Sequence, residues 1–284
     1  MPGYTYPMPG ARAGVVVAAL FALGCRAEPV TGRKALQIVP KAAVDALGDL
    51  EWDGVDEEGP SEANPKVVEW ADEVARRVVA ASPLAGEPVD IRVIHAPTVN
   101  AFALPPHHVA IFTGILPIAA NEAGLAAILG HEVGHVVARH VDERLSQQLL
   151  ANGAEIGLDL FLPSSDYKRL ILAGAGLGLN FGVLLPYSRT QEQEADAIGL
   201  GLMAKAGYDP AEAVEVWRRM QAANLGEIPA FLSDHPSNES RIEDLRKNLA
   251  AAEILYAASP TKFGLGALVP GTVPPPQPLV VPKR

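Results

Sequence analysis

The sequence predicts one α+β domain, mostly helical, with a small β-sheet beside its central helix. Three observations carry this. Hydrophobic residues make up 49% of the 284 and charged residues 20%, which excludes disorder as the global state. Aromatics are only 6% while alanine and glycine abound, so helices packed through small residues fit better than an aromatic-rich sandwich. Apolar residues recur at helical spacing over long segments, whereas only two short stretches alternate as strands. The formal net charge of −10 would repel a phosphate backbone and argues against nucleic acid as a partner. A single cysteine excludes an internal disulfide and any zinc site built from cysteine alone.

The N-terminus comes first. Residues 13–24 read AGVVVAALFALG, with Arg12 before and Cys25 after. A positive end, a short apolar run and small residues at its close predict a signal peptide over 1–24, with Met8 an alternative start. The run is too short for a comfortable span, which needs roughly 20 residues. The cysteine after Ala22-Leu23-Gly24 resembles a bacterial lipobox, although that pattern prefers leucine where Ala22 stands. Cys25 is then the lipidated first residue of a mature chain whose charge is −11, because Arg12 leaves with the signal. Arg26 is not the aspartate that tends to retain lipoproteins at the inner membrane. The expected place is the bacterial periplasm, lipid-anchored at the outer rather than the inner membrane. The competing reading is an ordinary cleaved signal and an incidental thiol.

Residues 25–62 read as a linker, with the acidic stretch from Asp45 to Glu62 a solvated surface segment. A catalytic domain is expected over 63–258. Asn64-Pro65 predicts an N-cap with proline at the first helical position, followed by Val67, Val68, Trp70, Val74, Val78 and Val79 at helical spacing. Val89–His95 and Val109–Thr113 read as strands, and Pro105-Pro106 as a turn at a sheet edge. A long helix should start at Asn121 and run to about Leu150. Residues 151–187 are apolar and glycine-rich, fitting a buried helix or one dipping into a lipid surface better than a span. Ser188 to Gln191 is a capping box opening a helix that ends before Gly207. Further helices should start near Pro210 and cover 238–257, and residues 259–284 form a disordered, proline-rich tail.

The chemistry lies in His131-Glu132-Val133-Gly134-His135. Residues i and i+4 are about 40° apart on a helix, so both imidazoles project from one face and can take one ion. Glu132 sits one residue round, able to hold a water but not to ligate. Zinc with three protein ligands keeps a fourth position for water and lowers its pKa to about 7. Gly130 and Gly134 leave room beside the motif. A third ligand is needed. His140 lies about 180° round a continuous helix from His131 and reads as a capping or surface residue. Ala138 and Val141 stand where the metzincin pattern wants glycine and histidine, which excludes that class. Two E-x-x-x-D frames remain: Glu155 with Asp159, and Glu192 with Asp196. Spacing alone does not choose. Glu192 follows a capping box in an uninterrupted helix, whereas Glu155 lies among Gly153, Gly157 and Pro163.

Together HEVGH, SRTQEQEAD at 188–196, AGYDP at 206–210 and DHPSNESRI at 234–242 resemble the zinc metallopeptidase family of HtpX, the CAAX proteases and BepA. NAFALP at 100–105 and PVTGRKAL at 29–36 resemble its exported lipoprotein members. The resemblance implies a gluzincin-type zinc metalloprotease domain holding one Zn2+ per chain on His131, His135 and Glu192. It implies that Glu132 is the general base and later the proton donor, and that Asp196 orients a ligand histidine. His235 would stabilise developing charge or reversibly take the fourth metal position. The edge strand within Asn100–Phe112 would pair with an extended substrate, through Asn100, Ala101, Phe102, Ala103, Val109 and Ile111. This chain has Pro106-His107-His108 where the family often has glycines. Adjacent strand histidines point to opposite faces and do not make a second metal pair.

The function expected is zinc-dependent endoproteolysis of exported or membrane-associated proteins, misfolded ones among them. Its partners are protein or peptide substrates and a membrane reached through the lipid anchor; no oligomeric state follows from the sequence. The alternatives are a proteolytically silent, chaperone-like envelope lipoprotein with structural zinc, and a lipid-surface scaffold using residues 170–185.

Overall fold

The computed structural model describes residues 25–28, 30–151, 187–223, 230–235, 239–264, 266 and 268–270. An antiparallel hairpin, β1 (Cys25–Ala27) with β2 (Lys34–Leu36), leads into helix α1 (Lys41–Gly54) and a 3-10 turn over Val55–Glu58. This corrects the expectation of a solvated linker. Val44 and Leu47 share one helical face and pack on Val141 and Leu145, while Trp52 joins a cluster with Leu104 and Phe112. Asp49 and Asp53 take the opposite, exposed face, while Glu51 is half-buried on the packed side, where burial pushes its carboxyl up; the number of acidic residues says nothing against a helix.

Helix α2 (Pro65–Ala80) forms as its signals predict: Asn64 Oδ1 accepts from the Lys66 N–H at 3.1 Å, and Val67, Val74 and Val78 are buried. Three strands follow, β3 (Asp90–Ile94), β4 (Ala101–Leu104) and β5 (His108–Phe112), in the order β3–β5–β4. β3 runs parallel to β5, and β4 runs antiparallel to it with Ala101 opposite Ile111. β4 is therefore an edge. The two expected strands lie within a residue or so of their predicted bounds, and the prolines at 105 and 106 turn the chain between β4 and β5, with a cis peptide between them.

A short helix α3 (Leu116–Ala119) precedes α4 (Glu122–Val137), capped by Asn121, whose Oδ1 accepts from the Gly124 N–H at 2.8 Å. The single long helix expected from Asn121 to Leu150 is two helices. Arg139 adopts a left-handed φ of 56°, and α5 (His140–Ala151) starts in a new direction. Helix α6 (Arg189–Lys205) opens on the predicted capping box, both halves of which are made by Ser188 and Gln191. Helices α7 (Ala211–Ala222), α8 (Ala230–Asp234) and α9 (Glu239–Ala258) complete the order.

Helices α4 and α6 cross in near backbone contact. A Cβ added at Gly134 would lie 2.8 Å from the Ala195 carbonyl oxygen, and one at Gly130 would lie 2.8 Å from that of Gly199. Small residues thus let two helices approach closely, as the composition suggests. Leu125, Leu129, Met203, Ile111 and Val78 build the main core around this crossing. The chain keeps packing past Ala258. The Phe263 N–H donates to the Gly207 carbonyl at 2.8 Å, Arg77 sits 4.2 Å above the Phe263 ring, and Val269 is buried. Packed chain thus reaches Val269, inside the stretch read as a tail, and residues 271–284 lie outside the described residues. The glycine-rich stretch at 152–186, with Glu155 and Asp159, and the signal-like residues 1–24 lie outside the described residues. Among the described residues no helix is long and apolar enough to cross a membrane.

Candidate metal centre

His131 and His135 stand one turn apart on α4, with their Nε2 atoms 3.0 Å from each other. Crossing α6 brings in Glu192, whose Oε1 lies 3.5 Å from His135 Nε2 and whose Oε2 lies 3.5 Å from His131 Nε2. The residue after α8, His235, points its Nδ1 at the same spot, 3.1 Å from His131 Nε2 and 3.0 Å from Glu192 Oε1. One donor atom from each of the four lies within 4.8 Å of every other, and all four residues are buried.

The donor set fits zinc. Arms of about 2.0–2.1 Å in a tetrahedron give donor–donor edges of about 3.3 Å, close to the separations found here. Imidazole nitrogens and a carboxylate oxygen converging on one buried point make the mixed nitrogen and oxygen donor set that suits zinc. Glu132 Oε1 has no hydrogen-bond partner among the described residues although Glu132 is only 3% exposed, and it sits 3.5 Å from His235 Nε2. A buried carboxylate oxygen left free beside such a cluster is placed to take a proton.

Electrostatics separate the groups. Burial pushes Glu132 up to about 7, with Glu192 adding repulsion. Burial opposes charge on Glu192 as well, but His235, Arg241 and His131 hold it well below the usual carboxylate range. Burial and the neighbouring His131 push His135 down. For His131 burial also opposes the charged form, yet Asp196 and Glu192 outweigh it and raise its pKa.

A surrounding layer fixes these side chains. Asp196 Oδ1 lies 2.9 Å from His131 Nδ1, on the side of the ring facing away from the cluster. Arg241 on α9 donates through Nε and Nη2 to the two Asp196 oxygens at 2.6 and 2.8 Å. Its Nη1 is 2.5 Å from Glu192 Oε2, and its guanidinium lies 3.6 Å over the Trp217 ring. One buried cation therefore serves two carboxylates. Tyr187 stacks against His235 with centroids 5.2 Å apart and lies 3.9 Å from the His135 ring; burial pushes its hydroxyl up to about 12. Arg241 and Tyr187 carry no sequence signal beyond their place in or beside the quoted motifs.

His140 requires a correction. It is fully buried, with Nδ1 2.9 Å from His135 Nδ1 and Nε2 3.0 Å from Glu194 Oε2. The left-handed turn at Arg139 swings it back toward the cluster, and a continuous helix would have faced it away. His107 and His108 take separate partners: His108 Nε2 lies 2.8 Å from Asp49 Oδ1 and its ring stacks on Trp52, while His107 faces Glu87.

A cleft of about 430 Å³ runs from Glu132, Tyr187 and His235 along Asn100, Ala101, Phe102, Ala103 and Leu104. Val109 and Ile111 do not reach it. They lie on β5, bonded to strands on both sides, and are 3% and 0% exposed. Their expected substrate contact is corrected: of these two strands β5 is paired on both sides, and β4 is the one with an edge left unpaired. Cys25 opens β1 with its side chain exposed.

A model of peptidase family M48 matches residues 65–249, a stretch containing every residue of the cluster. The chain belongs to peptidase family M48. Among curated relatives, this M48 chain is similar to the mitochondrial metalloendopeptidase OMA1 of Schizosaccharomyces pombe, 41% identical over 189 residues, covering 65% of this chain and 54% of the relative. It is 32% identical over 247 residues to the mitochondrial metalloendopeptidase OMA1 of Bos taurus, covering 79% of this chain and 46% of the relative. The beta-barrel assembly-enhancing protease of Escherichia coli K12 is 26% identical over 209 residues, covering 71% and 43%. The chain spans about half the length of these relatives. A zinc-holding cluster is what a family of metallopeptidases requires.

Proposed function

We propose that this protein is a zinc metalloendopeptidase that cleaves exported or membrane-associated proteins, misfolded ones among them, in a bacterial envelope. The observation that carries the reading is the free, buried Oε1 of Glu132, standing between the His131–His135–Glu192 cluster and a cleft bordered by an edge strand. When bound, zinc supplies a Lewis acid that acidifies water and polarises a carbonyl. The chain supplies the rest. An extended peptide adds to β4 through main-chain bonds along Asn100, Ala101, Phe102 and Ala103. Glu132 takes a proton from the attacking water at Oε1 and delivers it to the leaving amine. Asp196 fixes the ring of His131 from behind. His235, drawn up to Glu192 here, swings out to admit substrate and then offers its ring to the developing negative charge.

The envelope location rests on Arg12, the apolar run and Cys25. The relatives' names come from bacteria and from mitochondria, so family similarity does not supply the compartment. Two measurements test the proposal. Purified wild type should degrade casein, and Glu132→Gln with full zinc content should not; cleavage by that variant defeats glutamate-based catalysis. In a bacterial host Cys25→Ser should lose palmitate labelling and move to the soluble fraction, and an unlabelled wild type removes the lipid anchor.

A further inference from the structure

The motif PVTGRKAL lies far from the catalytic helix in sequence, yet two of its residues reach carboxylates on the helices that carry and flank the metal ligands. The Arg33 guanidinium meets both oxygens of Glu143, Nη1 to Oε1 at 3.0 Å and Nη2 to Oε2 at 2.6 Å. Its Nε donates to Glu194 Oε2 at 2.6 Å, and the Thr31 hydroxyl donates to Glu194 Oε1. Glu143 belongs to α5 and Glu194 to α6, so one side chain ties together two helices that flank the cluster. Glu143 Oε2 also accepts from Gln191 Nε2 at 3.0 Å, and Gln191 immediately precedes Glu192.

The direction of the hydrogen bonds gives this clamp its meaning. A histidine that offers Nε2 to a metal carries its proton on Nδ1. For His135 that N–H points at His140 Nδ1, 2.9 Å away, which must then accept. His140 therefore carries its own proton on Nε2, aimed at Glu194 Oε2 at 3.0 Å. The relay ends on a carboxylate whose two oxygens are both fixed by Thr31 and Arg33. We propose that the hairpin residues Thr31 and Arg33 are positioning residues of the metal centre, acting through Glu194 and His140 to set the tautomer and ring orientation of His135. The proposal rests on the reading of the cluster as a zinc site.

The test uses the full chain, zinc titrated against a chromophoric chelator, and the visible spectrum of the cobalt-substituted protein. Arg33→Ala should bind zinc about 5–10-fold more weakly, below the roughly 10–100-fold of a partner that touches a ligand directly, because Glu194 and His140 intervene. Its cobalt bands should shift, and its melting temperature should fall more in the zinc-loaded than in the metal-free form. Arg33→Lys, which keeps the charge and loses the fork, should fall between the two. Thr31→Val removes one hydroxyl donor and keeps the fold testable should Arg33→Ala fail to fold; about fivefold weaker zinc binding is expected. Zinc affinity within twofold of wild type in the folded variants, or equal melting losses with and without metal, overturns the proposal. A wild type that takes up no zinc overturns the metal-centre reading as well, whereas normal wild-type uptake with unchanged variants overturns this proposal alone.

Discussion

Gly199→Ala and Gly201→Ala, two residues apart on α6, should move stability in opposite directions. Alanine gains about 1 kcal/mol over glycine in a helix interior. At Gly201 a new Cβ meets only Leu255 Cδ1 at 3.7 Å, an ordinary contact, so the propensity gain is kept. At Gly199 it would lie 2.6 Å from both the Gly130 carbonyl carbon and the His131 nitrogen. Those are backbone atoms and cannot rotate away, so α6 must retreat by about 1 Å to reach normal carbon contact. Overpacking of this kind costs about 3 kcal/mol at the upper end of its usual range, leaving a net loss of about 2 kcal/mol. In a domain of this size that is about 4–8 °C, against a rise of about 2–4 °C for Gly201→Ala. The same retreat carries Glu192 away from His131 and His135, so Gly199→Ala should also lose zinc. Thermal unfolding followed by circular dichroism, with metal content by atomic emission, measures both. A Gly199→Ala protein that melts at or above wild type with full zinc refutes the argument that backbone contact at this crossing sets the site.

Arg241→Ala leaves the buried carboxylates of Asp196 and Glu192 without their shared cation; it should cost about 3–5 kcal/mol in urea unfolding, and a loss under 1 kcal/mol contradicts the pairing. Chelation of wild type should lower its melting temperature, since zinc at a thousand times its dissociation constant adds about 4 kcal/mol; an unchanged melt argues against a metal held by the folded state. Asp196→Asn should weaken zinc binding about 10–100-fold, read by chelator competition. The pH dependence of the metal-free chain tests Glu132. Its pKa is about 7 when folded and 4.5 in the reference state, so the folded chain keeps a proton that the unfolded chain has lost. That contribution, about 3 kcal/mol, is full below pH 4.5 and disappears as the pH rises through 7. Metal-free wild type should lose stability from pH 5 to 8 relative to Glu132→Gln, and parallel pH profiles would dispose of the raised pKa.

Much of the site is legible locally. The i, i+4 histidines, the Asn64, Asn121 and Ser188 caps and the glycines at the crossing are short-range patterns, and helix geometry converts them directly into positions. Helix α1 also carried its signal, in Val44, Leu47 and Trp52, but the acidic residues between them obscured it. Other features hang on a single dihedral or on a pairing order, which local patterns do not encode. One left-handed residue at Arg139 resets the helical phase and turns His140 inward. Strand order, with β5 in the middle, buries Val109 and Ile111 and leaves β4 at the edge.

By itself the sequence determined which residue types meet on α4, that they suit a metal, and that helices pack through small side chains. These follow from 3.6 residues per turn and from side-chain size, which need no distant partner. Tertiary structure alone decided that Glu192 Oε1 and His235 Nδ1 come within 3.0 Å of each other beside those histidines. It alone set Arg241 between two carboxylates and brought Arg33 from the N-terminal hairpin onto Glu143 and Glu194. Such contacts join segments separated by up to 163 positions, and the backbone path that closes those distances is a property of the whole packed core rather than of any one stretch of chain.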